Sequence, residues 1–162
     1  MADRGIYTYD YPRPMVTVDA IVFRYIEDHL HVLMIKRGQE PYADCWAFPG
    51  GFMEMNETLK EAAIRELEEE TGIRGVELIQ IGAFDRVDRD PRGRNIGVAF
   101  TGIVREAIEE AKAGDDAAEA AWMPADGSVE MAFDHGEMLE LARELVTSDT
   151  RFRSFTRGGE ET

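Results

Sequence analysis

Three glutamates within the stretch RELEEETG, residues 65–72, are the side chains of this sequence best placed to do chemistry. Glu66, Glu69 and Glu70 stand at positions i, i+3 and i+4, so in a helix they share one face. Like charges at that spacing destabilise a helix by roughly 0.2–0.5 kcal/mol per pair. A divalent cation such as Mg²⁺ would remove the repulsion, because it prefers hard oxygen ligands and keeps several waters of its own. The alternative is a solvated acidic face, which suits Glu68 on the opposite side.

Local signals place this face on a defined helix beside a glycine turn. A capping box from Thr58 to Glu61 predicts that the helix starts at Thr58, and Gly72 is suited to end it in the left-handed conformation. Pro49-Gly50-Gly51 lies just upstream, where its glycines allow backbone angles that other residues avoid. A carbonyl from that turn could add an oxygen ligand to the carboxylates.

The remaining elements follow from hydrophobic patterning. Alternating and β-branched segments predict strands at 15–25, 31–37, 76–84 and 95–104, and WMP at 122–124 ends a further short strand. A final helix is predicted from Asp134, a good N-cap residue, to about Thr147. Residues 106–121 favour a helix by propensity but contain a Gly-Asp-Asp break. We expect an α/β fold, layered around a mixed sheet, as one domain over residues 1–150 with a flexible tail at 151–162.

The composition limits the classes of partner. The 33 acidic residues against 18 basic ones give a formal net charge of −15, which repels phosphate backbones and argues against nucleic acid as a partner. Small phosphorylated ligands are repelled as well, unless cations intervene. No apolar run approaches the roughly 20 residues of a membrane span. No signal peptide is recognisable, and the lone Cys45 cannot form an internal disulfide, so we expect a cytoplasmic protein without membrane contacts.

The spacing around the glutamates matches a known signature at every fixed position. From Gly51 the chain runs through Glu57 to residues 65–73 as G-x5-E-x7-R-E-U-x-E-E-x-G-U, where U is aliphatic. This sequence resembles the Nudix hydrolase superfamily, which carries that signature. The resemblance implies a Nudix-type α/β/α sandwich around a mixed β-sheet. It also implies hydrolysis of a nucleoside diphosphate linked to another moiety, with Mg²⁺ or Mn²⁺ holding the diphosphate.

The resemblance also assigns roles to individual residues. It implies four metal ligands: Gly50 through its carbonyl, Glu66, Glu69 and Glu70. Arg65 resembles the residue that orients the glutamates, and we group it with Glu66 and Glu70 as catalytic. Gly51 and Glu57 resemble the residues that brace the loop.

A catalytic base outside the signature is usual in relatives that hydrolyse ADP-ribose, often a glutamate on a late loop. Glu119 is our candidate for this base, and Asp115 and Asp116 are the alternatives. Each of the three could instead be a solvated loop acid.

Segments on both sides of the signature resemble the ADP-ribose pyrophosphatase-like branch and the Nudix domain of related regulators of NAD metabolism. YPRPMVTVDAIVF, DRDPRGRNIGVAF and AFDHGEML carry this resemblance, which covers roughly residues 10–145. It implies cleavage of ADP-ribose into AMP and ribose 5-phosphate.

Four residues are candidates for contacting that substrate: Arg37, Arg86 and Arg92, whose forked donors suit phosphate or ribose oxygens, and Trp46, which could stack on adenine. Each has a structural alternative. Arg89, Arg92 and Arg94 could pair with nearby aspartates, and Trp46, like Phe84, could belong to the core. His135, which follows Asp134, is interpreted as a structural residue of the helix start.

Two other functions stay open in the sequence. The same chemistry could serve an oxidised nucleoside triphosphate, a dinucleoside polyphosphate or a nucleotide sugar. The chain could also be a non-hydrolysing ADP-ribose sensor, although the related regulators carry a C-terminal winged helix-turn-helix and only about 15 residues follow the last predicted helix. An intact signature favours catalysis over sensing. A homodimer is a further expectation, because relatives are often dimeric and the N-terminal segment is partly apolar.

Overall fold

The computed structural model describes residues 5–104, Gly114 and residues 117–155. In this part of the chain, seven strands form one mixed sheet: β1 (Met15–Ile26), β2 (His29–Arg37), β3 (Trp46–Ala47), β4 (Gly50–Phe52), β5 (Ile79–Phe84), β6 (Asn95–Ile103) and β7 (Ala117–Pro124). The helices described are α1 (Leu59–Thr71), α2 (His135–Ser148) and a 3-10 helix (Thr150–Phe155). None of the helices in these residues is long and apolar enough to cross a membrane.

The sheet is built around the long strand β1. Its partner on one side is β6, which runs parallel to it, and β5 pairs antiparallel with β6. On the other side, the first half of β1 pairs with β4 and its second half pairs with β2, both antiparallel. β2 also pairs with β3 and β7. The sheet therefore divides beside β1, and an opening forms where β4 takes the place of β2.

Alternate residues of β1 supply two separate cores, because the side chains of a strand point to opposite faces. Val18, Ala20 and Val22 pack with the apolar side of α1. Ile21 and Phe23 pack with the apolar side of α2. All five side chains are buried, so the sheet lies between two helical layers. The predicted α/β/α sandwich around a mixed sheet is confirmed.

Helix α1 has the two ends that its sequence predicts. The Thr58 hydroxyl accepts the Glu61 backbone N–H at 3.2 Å, and the Glu61 carboxylate accepts the Thr58 N–H at 2.7 Å. Gly72 ends the helix with a φ of 75°, a left-handed conformation that glycine adopts without a steric penalty. These ends fix the span of the helix, and Glu66 is among the residues on its buried side.

Strand β5 begins later than its sequence pattern predicts. The predicted start was residue 76, whereas pairing with β6 begins at Ile79. Val76 and Glu77 instead pack directly on Gly102 of β6, where a side chain would collide with them. The residues just before Ile79 therefore pack on β6 and do not lengthen β5.

The two uncertain segments of the sequence have different outcomes. Residues 117–121 of the ambiguous stretch belong to strand β7, while the expectation for 106–116 lies outside the described residues except at Gly114. Residues 151–155, which were expected in a flexible tail, belong to the 3-10 helix. Phe152 is buried there and packs into the core beneath α2.

The residue predicted to cap α2 makes a different contact in the structure. Asp134 occupies the N-cap position, but its side chain makes no capping hydrogen bond. Arg89 instead donates to both of its carboxylate oxygens, at 2.9 and 2.7 Å, and both side chains are almost fully buried. Such a charge-assisted bidentate pair is a stronger partner than one backbone N–H. The guanidinium fits because Gly97 has no side chain, since a Cβ there would lie 2.9 Å from its nitrogens.

We expect Arg89→Met to lower the free energy of unfolding by about 3–5 kcal/mol, because it leaves the Asp134 carboxylate buried without its partner. The double variant Arg89→Met/Asp134→Leu should regain most of that loss, since no buried charge remains. Urea denaturation measures both variants. Arg86→Met is the matched control, because Arg86 pairs with Asp88 and Glu137 at the surface, and its transition should match that of the parent. An unchanged transition for Arg89→Met would contradict a structural role for the buried pair.

Candidate active site

A pocket of about 180 Å³ opens where the sheet divides beside β1. Its walls come from five elements: Thr17 and Asp19 of β1, Arg37 at the end of β2, the glycines of β4, Glu70 of α1, and the segment just before α2. The loop between β5 and β6 adds Arg89, Asp90 and Arg92. Segments far apart in sequence therefore meet here, and both acidic and basic side chains line the space.

The acidic wall is formed by α1 against the glycine turn. The Glu66 carboxylate packs on Gly51 so closely that a Cβ at Gly51 would lie 2.6–3.0 Å from its atoms. Burial raises the pKa of Glu66, and its contact with Arg65 opposes that rise. The Gly50 N–H donates to the Glu70 carboxylate at 3.4 Å. The turn can approach the carboxylates this closely because it is made of glycine.

Arg65 links the acidic residues to one another. Its Nε and Nη2 donate to the two oxygens of Glu57 at 2.9 and 2.6 Å, and its Nη1 donates to Glu66 at 2.8 Å and to Glu69 at 3.2 Å. Its Nη2 also donates to the Phe52 carbonyl of β4 at 3.1 Å. These bonds, chiefly those with Glu57, hold the pKa of Arg65 above its usual value. The arrangement ties the helix, the preceding loop and β4 into one unit.

The carboxylate oxygens near this wall are the type of ligand that a hard divalent cation prefers. Glu70 lines the pocket itself, whereas the Glu66 carboxylate lies against Gly51 and Glu69 is exposed, and neither is part of the pocket lining. Within the described ranges, no three His, Cys, Asp or Glu side chains converge tightly enough to form a complete metal cage. Mg²⁺ does not require such a cage, because one or two protein carboxylates, substrate phosphates and waters complete its shell. The residues present therefore fit Mg²⁺ or Mn²⁺.

The floor of the pocket contains a buried carboxyl–imidazole pair that the sequence analysis did not identify as a site. The His135 Nε2 lies 3.3 Å from an oxygen of Asp19, and the Phe48 N–H donates to its Nδ1 at 3.1 Å. Burial lowers the pKa of His135 to about 3, so the ring is neutral and carries its proton on Nε2. Burial also raises the pKa of Asp19 to about 7, against the opposing effect of Arg89. The available signal for Asp19 was its place as the only acidic residue of the mainly apolar strand β1.

The basic wall faces the acidic one. Arg37 donates from Nε to the Pro41 carbonyl at 2.7 Å, and it forms no ion pair with a carboxylate in the described part of the chain. Burial, followed by the nearby charge of Arg92, lowers the pKa of the Arg37 guanidinium. Arg92 pairs with Asp90 through two bonds of 3.1 and 2.8 Å, as the structural alternative predicted, and it also lines the pocket. Arg37 is thus a half-buried cation with no direct salt bridge among the described residues, although Glu70, Asp90 and Asp19 are near enough to favour its charged form.

Other residues considered from the sequence lie elsewhere. Trp46 packs beside the α2-side core with Lys36 over its ring, and Arg86 is exposed between Asp88 and Glu137. Glu119 is exposed on β7, opposite Lys36 of β2. The structure does not bring these three candidates into the pocket lining. Two further acids proposed as the base, at positions 115 and 116, lie outside the described residues.

The remaining residues have structural partners. Phe84 packs against the α2-side core, and Arg94 donates to the backbone carbonyl of Asp85. His135 is buried at the start of α2. Arg89 pairs with Asp134 and not with the aspartates of its own loop.

Comparison with known proteins relates this site to a family. An ADP-ribose pyrophosphatase from Methanocaldococcus jannaschii is 41% identical over 130 residues, which are 80% of this chain and 73% of that protein. The ADPR responsive transcriptional repressor NtrR from Acinetobacter baylyi is 32% identical over 146 residues, 88% of this chain but 58% of the repressor.

Solved structures agree with these relatives. A MutT/nudix family protein from Enterococcus faecalis matches with a TM-score of 0.81 and 30% identity, over 93% of this chain and 69% of that one. The NUDIX domain of Shewanella oneidensis NrtR complexed with ADP ribose matches with a TM-score of 0.78 and 28% identity, over 85% of this chain and 94% of that one. The family model described as NUDIX domain matches residues 14–142. The chain therefore belongs to the NUDIX family.

Proposed function

We propose that this chain is a divalent-metal-dependent diphosphohydrolase that cleaves ADP-ribose into AMP and ribose 5-phosphate. The observation that carries the proposal is the meeting of acidic and basic side chains in one pocket. Glu70, the glycine turn and the arginines Arg37 and Arg92 all line it, and Arg37 forms no direct salt bridge within the described residues. A diphosphate needs both, since it binds a metal through its oxygens and also accepts bonds from forked guanidinium donors.

The acidic wall accounts for the metal. Glu66, Glu69 and Glu70, with the Gly50 carbonyl, are the groups proposed to hold Mg²⁺ or Mn²⁺. The ion would neutralise the diphosphate and lower the pKa of an attacking water. Arg65 keeps the carboxylates in place before any ion arrives, because it already bonds Glu66 and Glu69. Glu57 in turn holds Arg65 through both of its oxygens, which supports the bracing role proposed for it.

The basic wall explains how a protein of net charge −15 could bind an anionic substrate. A protein field of that sign repels a diphosphate, so local cations are needed at the binding surface. Arg37 lines the pocket, and its Nε donates to the Pro41 carbonyl, so the donors it would offer a ligand are its two terminal nitrogens. Arg92 is held on the same wall by Asp90. We propose that both donate to phosphate or ribose oxygens. The roles of Trp46, Arg86 and Glu119 stay predictions.

The comparisons support ADP-ribose over other substrates. The archaeal relative named as an ADP-ribose pyrophosphatase matches over 80% of this chain. An 8-oxo-dGTP diphosphatase from Proteus vulgaris is 44% identical over only 55 residues, 34% of the chain. The matched NrtR domain is named in complex with ADP ribose, and a related NrtR structure is named in complex with DNA. A sensor of ADP-ribose is therefore the second candidate, and the complete set of signature glutamates favours hydrolysis.

The acidic charge argues against the phosphate backbone of a nucleic acid as a partner. We propose a cytoplasmic location and no nucleic-acid partner. Homodimer formation stays a prediction.

We expect Glu70→Gln to lower kcat by at least about 10²-fold, because it removes one of the charges that hold the metal. Excess chelator should abolish the activity of the parent, and added Mg²⁺ should restore it. Glu68→Gln is the matched control, because Glu68 lies on the same helix but pairs with Arg74 at the surface. Steady-state kinetics with ADP-ribose and calorimetric titration with Mn²⁺ measure the two effects. A near-normal kcat and Mn²⁺ affinity in Glu70→Gln would show that Glu70 is not a ligand.

We expect ADP-ribose to have the highest kcat/KM in a panel with 8-oxo-dGTP, diadenosine polyphosphates and UDP-sugars, by at least about tenfold, which is ~1.4 kcal/mol in the transition state. Arg37→Ala should raise the KM for ADP-ribose, because it removes a pocket-lining cation that has no direct salt bridge in the described part of the chain. Arg74→Ala is the control, since it removes the same guanidinium charge at the surface, where Arg74 pairs with Glu68. A panel led by 8-oxo-dGTP or a UDP-sugar would overturn the substrate while leaving the metal chemistry intact.

A further inference from the structure

Phe133 adopts a backbone conformation that residues with side chains rarely occupy. Its φ is +51°, in the left-handed region where Cβ approaches the backbone too closely. It immediately precedes the Asp134–His135 pair and lines the pocket. Such an outlier persists only where the surroundings enforce it, and outliers of this kind concentrate at functional sites.

The neighbours of Phe133 on both sides are fixed. The Ala132 N–H donates to the Trp46 carbonyl at 2.8 Å, and the Asp134 carboxylate is held by Arg89. His135 is held in turn by the Phe48 N–H. The chain therefore has little freedom to relax at Phe133, and the ring is directed into the pocket.

The ring contacts both guanidiniums of the basic wall. The Arg37 Cζ lies 5.0 Å from the Phe133 ring centroid, and the Arg92 Cζ lies 5.7 Å from it. Both distances are within the range of cation–π attraction. The Tyr42 ring, at 4.7 Å between centroids, and the His135 ring, at 5.5 Å, hold Phe133 from other directions. A single aromatic ring thus touches the two cations that face the substrate space.

Two guanidiniums on one wall repel each other, which disfavours their convergence in an empty pocket. Arg92 has the Asp90 carboxylate to offset its charge, whereas Arg37 has no direct salt bridge in the described ranges. Arg92 also lies 5.0 Å from the Phe52 ring centroid, and the electron-rich face of Phe133 is the contact that Arg37 and Arg92 share. The ring can therefore hold both cations in place before an anion arrives.

We propose that Phe133 is a positioning residue that holds Arg37 and Arg92 as a two-pronged receptor for the phosphate oxygens of a diphosphate. This proposal rests on the proposed function for its substrate. It adds that diphosphate affinity depends on an aromatic ring outside the glutamate signature, separately from metal affinity.

The test compares Phe133→Leu, which removes the ring and keeps an apolar side chain, with Phe133→Tyr, which keeps the ring. Phe133→Gly also removes the ring and in addition allows a positive φ without strain. Inorganic pyrophosphate is the probe, titrated by calorimetry, so the result does not depend on whether ADP-ribose is the substrate. Mn²⁺ affinity is titrated in parallel, and KM and kcat are measured with ADP-ribose.

We expect Phe133→Leu and Phe133→Gly to weaken pyrophosphate binding by at least about fivefold, with Mn²⁺ affinity unchanged. The KM for ADP-ribose should rise by a similar factor, while kcat changes less than about twofold. Phe133→Tyr should retain the parent affinity. Phe152→Leu is the control for losing a ring from the core, and it should lower the unfolding temperature without changing pyrophosphate affinity.

Parent-like pyrophosphate affinity in either ring-deleted variant would overturn the proposal. An equal loss of Mn²⁺ affinity would also overturn it, because the change would then act on the whole site. If Phe133→Leu fails to fold, Phe133→Gly decides the question. Failure of the proposed function would give a different result: the parent protein would bind pyrophosphate but would not cleave ADP-ribose.

Discussion

Arg65 bonds three carboxylates that would otherwise repel one another, and most of the site depends on this contact. It holds both oxygens of Glu57, one of Glu66 and one of Glu69, and it reaches the Phe52 carbonyl. One cation cannot balance three anions, so the helix face retains negative charge beside the glycine turn. The capping box and the apolar side of α1 set the position of that face, and the missing side chain of Gly51 lets the Glu66 carboxylate lie against β4. The proposed metal would offset this remaining negative charge.

The basic wall of the pocket has an excess of positive charge. Arg37 is half-buried without a direct salt bridge in the described residues, and Arg92 adds a second guanidinium. Burying a charge without a direct partner is costly unless a ligand pairs with it. The proposed metal-bound diphosphate would give the carboxylates a cation and Arg37 an anionic partner in the same site. The two imbalances are therefore best explained together, as one site for one ligand.

Local signals in the sequence predicted the elements well because their causes are local. The capping box at Thr58, the left-handed Gly72 and the alternating strands each depend on residues a few positions apart. The glutamate face also follows from helical spacing alone. The start of β5 was missed because packing on Gly102 is a tertiary contact, which changes the use of an apolar segment without changing its pattern.

The pocket itself could be predicted only in part. Arg37, Arg86 and Arg92 looked equivalent in sequence, and only the fold separates the exposed Arg86 from the two that line the pocket. The partner of Asp134 is Arg89, which lies 45 positions away, so no local rule could replace the expected cap. Phe133 belongs to the segment AFDHGEML that carries the family resemblance, but nothing in the sequence gave it a role, because its φ and its contacts depend on the tertiary structure.

The most direct test of the central claim is a crystal structure with Mn²⁺ and a non-hydrolysable α,β-methylene analogue of ADP-ribose, with manganese located by anomalous scattering. The account predicts Mn²⁺ bound directly to oxygens of Glu66 and Glu70 and to the bridging diphosphonate, with the other diphosphonate oxygens bonded by Arg37. Manganese bound only to exposed acids, or an analogue held away from the α1 face, would contradict the account.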